Sequence, residues 1–152
     1  MIELTLSGFE ENEGKTGKKL VVSGENKCMV TGDKIYFNPM FELGMDENPF
    51  QREKRLFPID FGCPLKYVYR YSIVIPEGYE VLEIPENVNV ILSGKAAQFR
   101  HILHLEGNLL QVMSSLSVSQ VWFGPDDYQG LKDFFDMVVV KHTEQVVLTK
   151  KI

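Results

Sequence analysis

The residue types of a Cys-His-Asp hydrolase or transferase occur in chain order at Cys63, then His101 or His104, then Asp126 or Asp127. Such a site needs a thiolate, a base beside it and a group that orients the base. Cys63 is followed by a proline and a strand-like run, rather than by a helix whose N-terminus lowers the pKa of a thiol. We therefore expect no catalysis by this set, and we expect the chain not to be an enzyme.

The histidines are also candidates for metal ligation. His101 and His104 are three positions apart on a predicted strand, and this odd spacing sends their side chains to opposite faces. One local metal site cannot use both. His101 falls on the apolar face and is expected to be a hydrogen-bonded core or edge histidine, and His142, on the apolar stripe of a predicted helix, has the same interpretation. The sequence thus predicts no catalytic residue, no metal site and no cofactor.

Two groups of aromatic residues are candidates for ligand contact. Tyr67, Tyr69 and Tyr71 share one face of a predicted strand, and the continuation of this row into two isoleucines favours a core position over an exposed platform. Trp122 and Phe123 are neighbours on a strand, so one should be buried and the other should face solvent. Trp122 and Tyr69 are the speculative binding residues if the chain binds a carbohydrate or a peptide.

The composition predicts a globular protein with a core of its own. The chain has 152 residues, of which 44% are hydrophobic and 24% are charged, and this size is typical of one domain. The net charge of −5 argues against nucleic acid and anionic membrane surfaces as partners. No apolar run reaches the ~18 residues of a membrane span, so membrane insertion is not expected. The N-terminus lacks the basic-then-apolar order of a signal peptide.

The cysteines are Cys28 and Cys63. Two free, buried thiols are the expectation, because cysteine is among the most often buried residues. Pairing in an oxidising compartment stays open, since the sequence does not place the two Cα atoms within bridging reach.

Short strand-like runs, separated by turns, predict the fold class. It is mainly β: an antiparallel β-sandwich, with an immunoglobulin-like arrangement as one option, and one α-helix near the C-terminus. The helix is predicted from Gly124 onward, where Pro125 and two aspartates give a favourable helix start. The strands are predicted at 2–6, 20–22, 28–30, 34–37, 67–75, 79–84, 88–92, 99–106, 109–123 and 145–148, and residues 9–19 are predicted to be a polar loop.

The predicted strand 109–123 is longer than an ordinary strand. At ~3.3 Å per residue it would span about 50 Å, so we expect a bend or bulge near Ser114. The whole chain, residues 1–152, is predicted to be a single β-sandwich domain. Its N-terminal strands lie in 1–47, a crossover lies in 48–62, and the main sheets and the helix lie in 63–152.

The crossover 48–62 is too rich in proline and charge to be a regular element, yet it contains more phenylalanine than a solvated linker. We interpret it as an ordered connection pinned onto the core. Asp60 and Arg55 are expected to hold its geometry. The expected anchors are Phe50, Phe57 and Phe61.

Five segments follow one another in a characteristic order: NPF at 48–50, RLFPIDFG at 55–62, IPEGYEV at 75–81, GPDDY at 124–128 and EQVVL at 144–148. Together they resemble the C-terminal β-rich domain, a domain of unknown function, of Bacteroides-type transglutaminase-like proteins. The resemblance covers about residues 34–151. In that family the domain follows a papain-related core.

The core of such proteins carries a Cys followed by Trp, then a His and an Asp. Here Cys28 is followed by Met29 and Cys63 by Pro64, so neither is directly followed by the single Trp, and the resemblance implies the accessory module without the enzyme. Its implied role is partner docking or substrate positioning, with a transglutaminase-like core or another protein as partner and a periplasmic or secreted location. The alternative is a carbohydrate- or peptide-binding β-sandwich module. The oligomeric state is not predicted.

Overall fold

The structure is a computed structural model that describes residues 3–11, 14–15, 20–23 and 28–152, with side chains from residue 28 onward. Within this part of the chain, no helix is both long and apolar enough to cross a membrane. The predicted polar loop lies partly outside the described residues, at 12–13 and 16–19. Where it is described it is wrong, because residues 9–11 continue a strand whose Glu10 and Glu11 pair with Arg70 and Tyr69.

Strands dominate the described residues, and a single α-helix, α1 (Tyr128–Thr143), lies near the C-terminus of this part of the chain. A 3-10 turn, Pro125–Asp127, leads into it, as the sequence predicts. The strands are β1 (Glu3–Glu11), β2 (Gly14–Lys15), β3 (Leu20–Ser23), β4 (Cys28–Thr31), β5 (Lys34–Phe37), β6 (Ile59–Asp60), β7 (Leu65–Val74), β8 (Tyr79–Glu83), β9 (Val88–Ile91), β10 (Ala97–Glu106), β11 (Leu109–Val118), β12 (Trp122–Phe123) and β13 (Val146–Lys150).

The strands form two main antiparallel sheets and a small ribbon. The long sheet has the order β2-β1-β7-β11-β10-β9, with β3 also paired to β1. The second sheet has the order β4-β5-β13-β8, and β6 pairs with β12 in the ribbon. The sheets are stacked like a sandwich and do not close into a barrel. The predicted fold class, mainly β with antiparallel sheets and one late helix, is therefore confirmed.

One face of the long sheet carries two separate hydrophobic cores. Because side chains alternate along a strand, every second residue of β10 and β11 points to this inner face. At one end of the strands, the inner face packs on the second sheet, and this sheet–sheet core includes Ile35, Ile73, Leu103, Val112 and Leu148. At the other end it packs on α1, and this helix–sheet core includes Phe99, Leu116, Val118, Leu131, Phe135 and Val138.

The long strand β11 is regular and shorter than predicted. It pairs without a register shift with β7 on one side and β10 on the other, from Leu109 to Val118. The predicted bend near Ser114 is therefore wrong, because two neighbouring strands hold this position in the ladder. The strand ends where Ser119 N–H and Gln120 N–H both donate to the Ala96 carbonyl, at 2.9 Å and 3.1 Å.

The crossover 48–62 is pinned by two of its three predicted anchors. Phe50 is buried and makes edge-to-face contacts with Tyr128 and Phe135, with ring centroids 6.1 Å and 5.2 Å apart. Phe61 is half-buried against Phe123 at 5.8 Å. Phe57 is 76% exposed, so its prediction is wrong: the ring contacts of the crossover are made by Phe50 and Phe61.

The two polar residues of the crossover behave differently. Asp60 Oδ1 accepts a hydrogen bond from Gly62 N–H at 2.8 Å, which confirms its part in holding the loop geometry. Arg55 is exposed. It lies in the segment between the two anchored ends of the crossover.

Candidate functional site

The structure does not assemble the Cys-His-Asp set. Cys63 is exposed and Cys28 is half-buried, and both are free thiols, so the expected burial is wrong for Cys63. Burial raises the pKa of the Cys28 thiol. His104 is exposed and His101 is fully buried, which confirms that the two rings face opposite sides of β10. Among the described residues, no group of three or more His, Cys, Asp or Glu side chains is arranged to hold a metal ion.

Polar groups instead meet between the two hydrophobic cores. Strand register places Tyr69, Ser114 and His101 in one row across β7, β11 and β10. On one side of this row lies the sheet–sheet core and on the other the helix–sheet core. The His142 side chain of α1 packs onto the row, with its ring centroid 5.6 Å from that of His101. We call these four residues the histidine seam.

Hydrogen bonds at His142 link the seam to separate parts of the fold. Its Nε2 lies 2.7 Å from the Ser114 hydroxyl, and its Nδ1 accepts a hydrogen bond from the Met45 backbone N–H at 2.9 Å. Its carbonyl oxygen accepts a hydrogen bond from Asn38 Nδ2 at 2.8 Å. One residue thereby joins the end of α1, strand β11 and the segment 38–45, and the prediction of a hydrogen-bonded histidine is confirmed for His142.

The segment 38–45 approaches α1 so closely that it requires a glycine. A Cβ on residue 44 would lie 3.0 Å from the Cβ of Met40 and 3.2 Å from the Cβ of His142. Both distances are shorter than ordinary carbon–carbon contacts. Gly44 thus allows Met45 N–H to reach the imidazole, and a larger residue would push the two elements apart.

The hydrogen bonds determine which ring nitrogen of His142 carries the proton. A backbone N–H can only donate, so Nδ1 must be the unprotonated nitrogen, and in the neutral ring Nε2 carries the hydrogen. Nε2–H therefore donates to Ser114 Oγ. A serine nucleophile needs the opposite arrangement, in which the hydroxyl donates to a basic nitrogen. Burial, and then the neighbouring His101, lower the pKa of His142 to about 4, which keeps this neutral form at neutral pH.

His101 differs from its neighbour because its nitrogens have no partner. Its side chain has no exposed surface, and neither ring nitrogen makes a hydrogen bond within the described residues. Its ring stacks on Phe99, with centroids 6.0 Å apart and planes 13° apart. The expectation of a hydrogen-bonded His101 is wrong, because its ring packs on the rings of Phe99 and His142 and neither of its nitrogens reaches a polar partner among the described residues. Burial, and then the positive charge of Lys141, lower the pKa of His101 to about 4.

A groove of about 230 Å³ opens beside the seam. Ser114 and His142 provide its polar lining. Tyr69 lines it as well, so this predicted binding residue lies at a cavity. The other lining residues are Leu43, Gly44, Met45, Tyr67 and Leu116.

The tyrosine row is only partly a core row. Tyr71 is buried and its hydroxyl donates to the Pro39 carbonyl at 2.6 Å, whereas Tyr67 is 42% exposed. Trp122 is 56% exposed and Phe123 is buried, which confirms the prediction that these neighbours face opposite ways. Trp122 belongs to the β6–β12 ribbon and does not line the groove of Tyr69, so the two speculative binding residues do not share that cavity.

Sequence reasoning missed the pairing of Ser114 with His142. A signal for it exists, because Ser114 interrupts an inward-facing row of Leu110, Val112, Leu116 and Val118. A lone hydroxyl on an apolar strand face needs a buried partner. The partner comes from a helix 28 residues away in sequence, and no local pattern identifies it.

The chain belongs to a family described as a domain of unknown function with a solved structure (DUF3858), whose model matches residues 33–148. This confirms the part of the predicted resemblance that concerns a domain of unknown function. No curated protein matches the chain.

The fold is similar to that of a crystal structure, at 2.00 Å resolution, of a putative protease from Parabacteroides distasonis ATCC 8503. The TM-score is 0.60 and the sequence identity is 13% over 76% of this chain, so the likeness concerns the fold alone. The matched part is 23% of that protein's chain.

Proposed function

We propose that this chain is a non-catalytic accessory module of a transglutaminase-like or protease-related protein, and that it acts in partner docking or substrate positioning. The observation that carries the proposal is the share of the structurally similar protein that the match covers. The same fold occupies 23% of a chain described as a putative protease, so in that protein it is one part of a larger molecule. The order of the five segments, which resembles a domain that follows a transglutaminase-like core, adds to it.

The geometry of the seam supports the non-catalytic part of the proposal. In the seam the Ser114 hydroxyl contacts the imidazole of His142 at Nε2, and there the imidazole is the donor. Reversing the bond would require Met45 N–H to give up its acceptor. Cys63 is exposed, and its thiol makes no hydrogen bond to a histidine among the described residues.

An activity assay tests this part. The purified chain is incubated with fluorogenic peptides, and with a glutamine peptide and a primary amine as transglutaminase substrates. We expect turnover at the level of buffer alone. Turnover that disappears in Ser114→Ala or Cys63→Ala, but persists in Ser115→Ala, would show that the module is an enzyme.

The genomic context tests the accessory part. We expect the coding region or its immediate neighbours to encode a transglutaminase-like or protease core, and we expect that core to co-purify with the chain at its natural expression level. If the neighbourhood encodes no such core and none co-purifies, the proposal fails even when the chain proves inactive.

The groove beside the seam supports a second candidate function, binding of a peptide or carbohydrate. Leu43, Met45 and Leu116 make its lining mainly apolar, which suits a side chain of a peptide better than a sugar. Titration with a peptide panel and a glycan panel would test it. Tyr69→Ala should abolish binding in the groove, whereas Trp122→Ala should leave it unchanged; the reverse result would move the site to the ribbon.

A further inference from the structure

The most exposed apolar side chains within the matched family region lie side by side in the crossover. Leu56 is 86% exposed and Phe57 is 76% exposed. An exposed loop does not need large apolar side chains in order to fold, because polar residues could occupy the same positions. Contiguous exposed apolar side chains mark interaction sites, and aromatic residues are enriched in the buried centre of protein interfaces.

The loop is held firmly at its N-terminal end. Tyr128 Oη donates to the Arg52 carbonyl at 2.6 Å, and Lys132 Nζ donates to the same oxygen at 3.3 Å. Just before it, Asn48 Nδ2 donates to the Lys132 carbonyl at 2.9 Å and to Asp136 Oδ1 at 2.7 Å. These contacts tie the start of the loop to α1.

The loop is held at its C-terminal end by the β6–β12 ribbon, in which Ile59 pairs with Phe123 and Asp60 with Trp122. Both ends are therefore positioned before any partner arrives. Ordering a loop on binding costs free energy, and a loop held in place avoids most of that cost.

Trp122 is an exposed ring near the C-terminal end of this loop. Phe57 is three residues before Asp60, so their Cα atoms lie within ~11 Å, and Asp60 is the strand partner of the exposed Trp122. A standard interface buries about 800 Å² on each partner, which is wide enough to include all these side chains.

The charge of the loop indicates the chemistry of the partner. Arg52, Lys54 and Arg55 are exposed and outnumber the single carboxylate of Glu53, whereas the whole chain carries −5. The loop is thus a basic segment on an acidic protein. Basic residues around apolar ones favour a complementary surface in which Asp and Glu surround an apolar pocket. An anionic membrane offers no pocket and repels the acidic remainder of the chain.

We propose that residues 52–57 and Trp122 form the docking surface for a protein partner whose contact face is an apolar pocket ringed by carboxylates. This inference rests on the proposed accessory function and names the surface through which the module would dock. Leu56 and Phe57 fill the pocket, while Arg52 and Arg55 pair with its acidic rim and set the orientation.

Site-specific crosslinking in the organism that makes the chain tests the proposal. Phe57 is replaced by the photo-crosslinking residue benzoylphenylalanine, and Ile91, an exposed apolar residue on β9, is replaced in a control. Charge reversal by Arg52→Glu with Arg55→Glu is compared with Lys150→Glu and Lys151→Glu, which change the net charge equally. Thermal unfolding verifies that every variant is folded.

Support requires three results together. Position 57, and not position 91, crosslinks to one protein at a face where Asp and Glu surround apolar residues. The yield falls about tenfold or more in the Arg52→Glu, Arg55→Glu variant and at high salt, but not in the Lys150→Glu, Lys151→Glu variant. Leu56→Ser lowers the yield by a similar factor.

The other outcomes overturn the inference. Crosslinks from position 57 to lipid, with flotation of the chain on phosphatidylserine vesicles, would assign the loop to a membrane. Crosslinks to a second copy, with dimers in sedimentation, would assign it to self-association. Absence of a crosslink at position 57, or a yield unchanged by charge reversal, would also contradict it. If a transglutaminase-like or protease core is instead captured through another surface, the docking inference fails while the proposed function stands.

Discussion

The histidine seam and the loop 52–57 are opposites in exposure and in the use of their side chains. The seam contains residue types capable of acid–base chemistry, yet its hydrogen bonds and packing lock them between two hydrophobic cores. The charged side chains of the loop are instead all exposed, and the loop also presents Leu56 and Phe57 to solvent on a backbone that is held at Arg52. Residue type alone therefore does not locate function; accessibility and hydrogen-bond direction decide it.

The largest difference should appear when an aromatic ring is truncated in each region. Phe99→Ala removes a fully buried ring that contacts both histidines of the seam, and should lower the free energy of unfolding by about 3–5 kcal/mol. Phe57→Ala, the matched change in the loop, should alter it by less than about 0.5 kcal/mol. Urea unfolding of both variants provides the measurement, and equal losses would show that the loop is packed.

The second prediction concerns pH. His101 and His142 have pKa values lowered from 6.5 to about 4, so the folded chain resists protonation that the unfolded chain accepts. The stabilisation is fully present above about pH 6.5 and is lost as the pH falls towards 4. Lowering the pKa of one group by a single pH unit corresponds to ~1.4 kcal/mol, so Tm should fall by several degrees across this window.

Replacing one histidine separates this effect from general acid denaturation. His101→Leu removes two unpaired buried nitrogens and should raise stability at pH 7 by about 1 kcal/mol, while flattening the pH dependence. His104→Leu, on the exposed face of the same strand, is the control and should leave the slope unchanged. If both variants keep the wild-type slope, the buried histidines are not its source.

Removal of the serine hydroxyl is the third prediction. Ser114→Ala leaves the Nε2–H of His142 buried without an acceptor, which should cost about 1–3 kcal/mol. Ser115→Ala, one residue along and on the other face of β11, should cost less than about 0.5 kcal/mol. Thermal unfolding distinguishes the two, and a neutral Ser114→Ala would mean that the hydrogen bond does not hold the seam together.

The smallest effect on stability should come from the loop 52–57. Leu56→Ser exposes no additional apolar surface, so the free energy of unfolding should change by less than about 0.5 kcal/mol. This near-neutral result, combined with a loss of crosslinking, would show that the Leu56 side chain contributes to binding and not to the stability of the fold. A loss of several kcal/mol would instead make the loop part of the core.

The helix and most strands follow from local residue patterns, and these patterns predict much of the fold. The alternation of β10 and β11 around Gly107 and the helical period after Pro125 are both found where predicted. The end of β11 was not predictable locally, because it depends on hydrogen bonds from Ser119 and Gln120 to Ala96. The exposure of Phe57 was missed for a similar reason, since the anchoring contacts of the crossover depend on distant rings, Phe135 against Phe50 and Phe123 against Phe61.

In the candidate site, too, some features were predictable from local sequence and others were not. The opposite orientations of His101 and His104 follow from strand geometry, and so does the division of Trp122 and Phe123 into exposed and buried residues. Strand geometry does not determine whether each imidazole is hydrogen-bonded. Both ring nitrogens of His142 are hydrogen-bonded, to Ser114 and to Met45, whereas neither nitrogen of His101 has a partner among the described residues.

By itself, the sequence determined the mainly β class, the late helix and the ordered crossover, because side-chain periodicity and turn residues act over a few positions. Only the tertiary structure decided which side chains are accessible and which nitrogen of His142 carries the proton. Those properties depend on atoms contributed by Met45, Ser114 and α1, which are far apart in the chain and meet only in the folded protein.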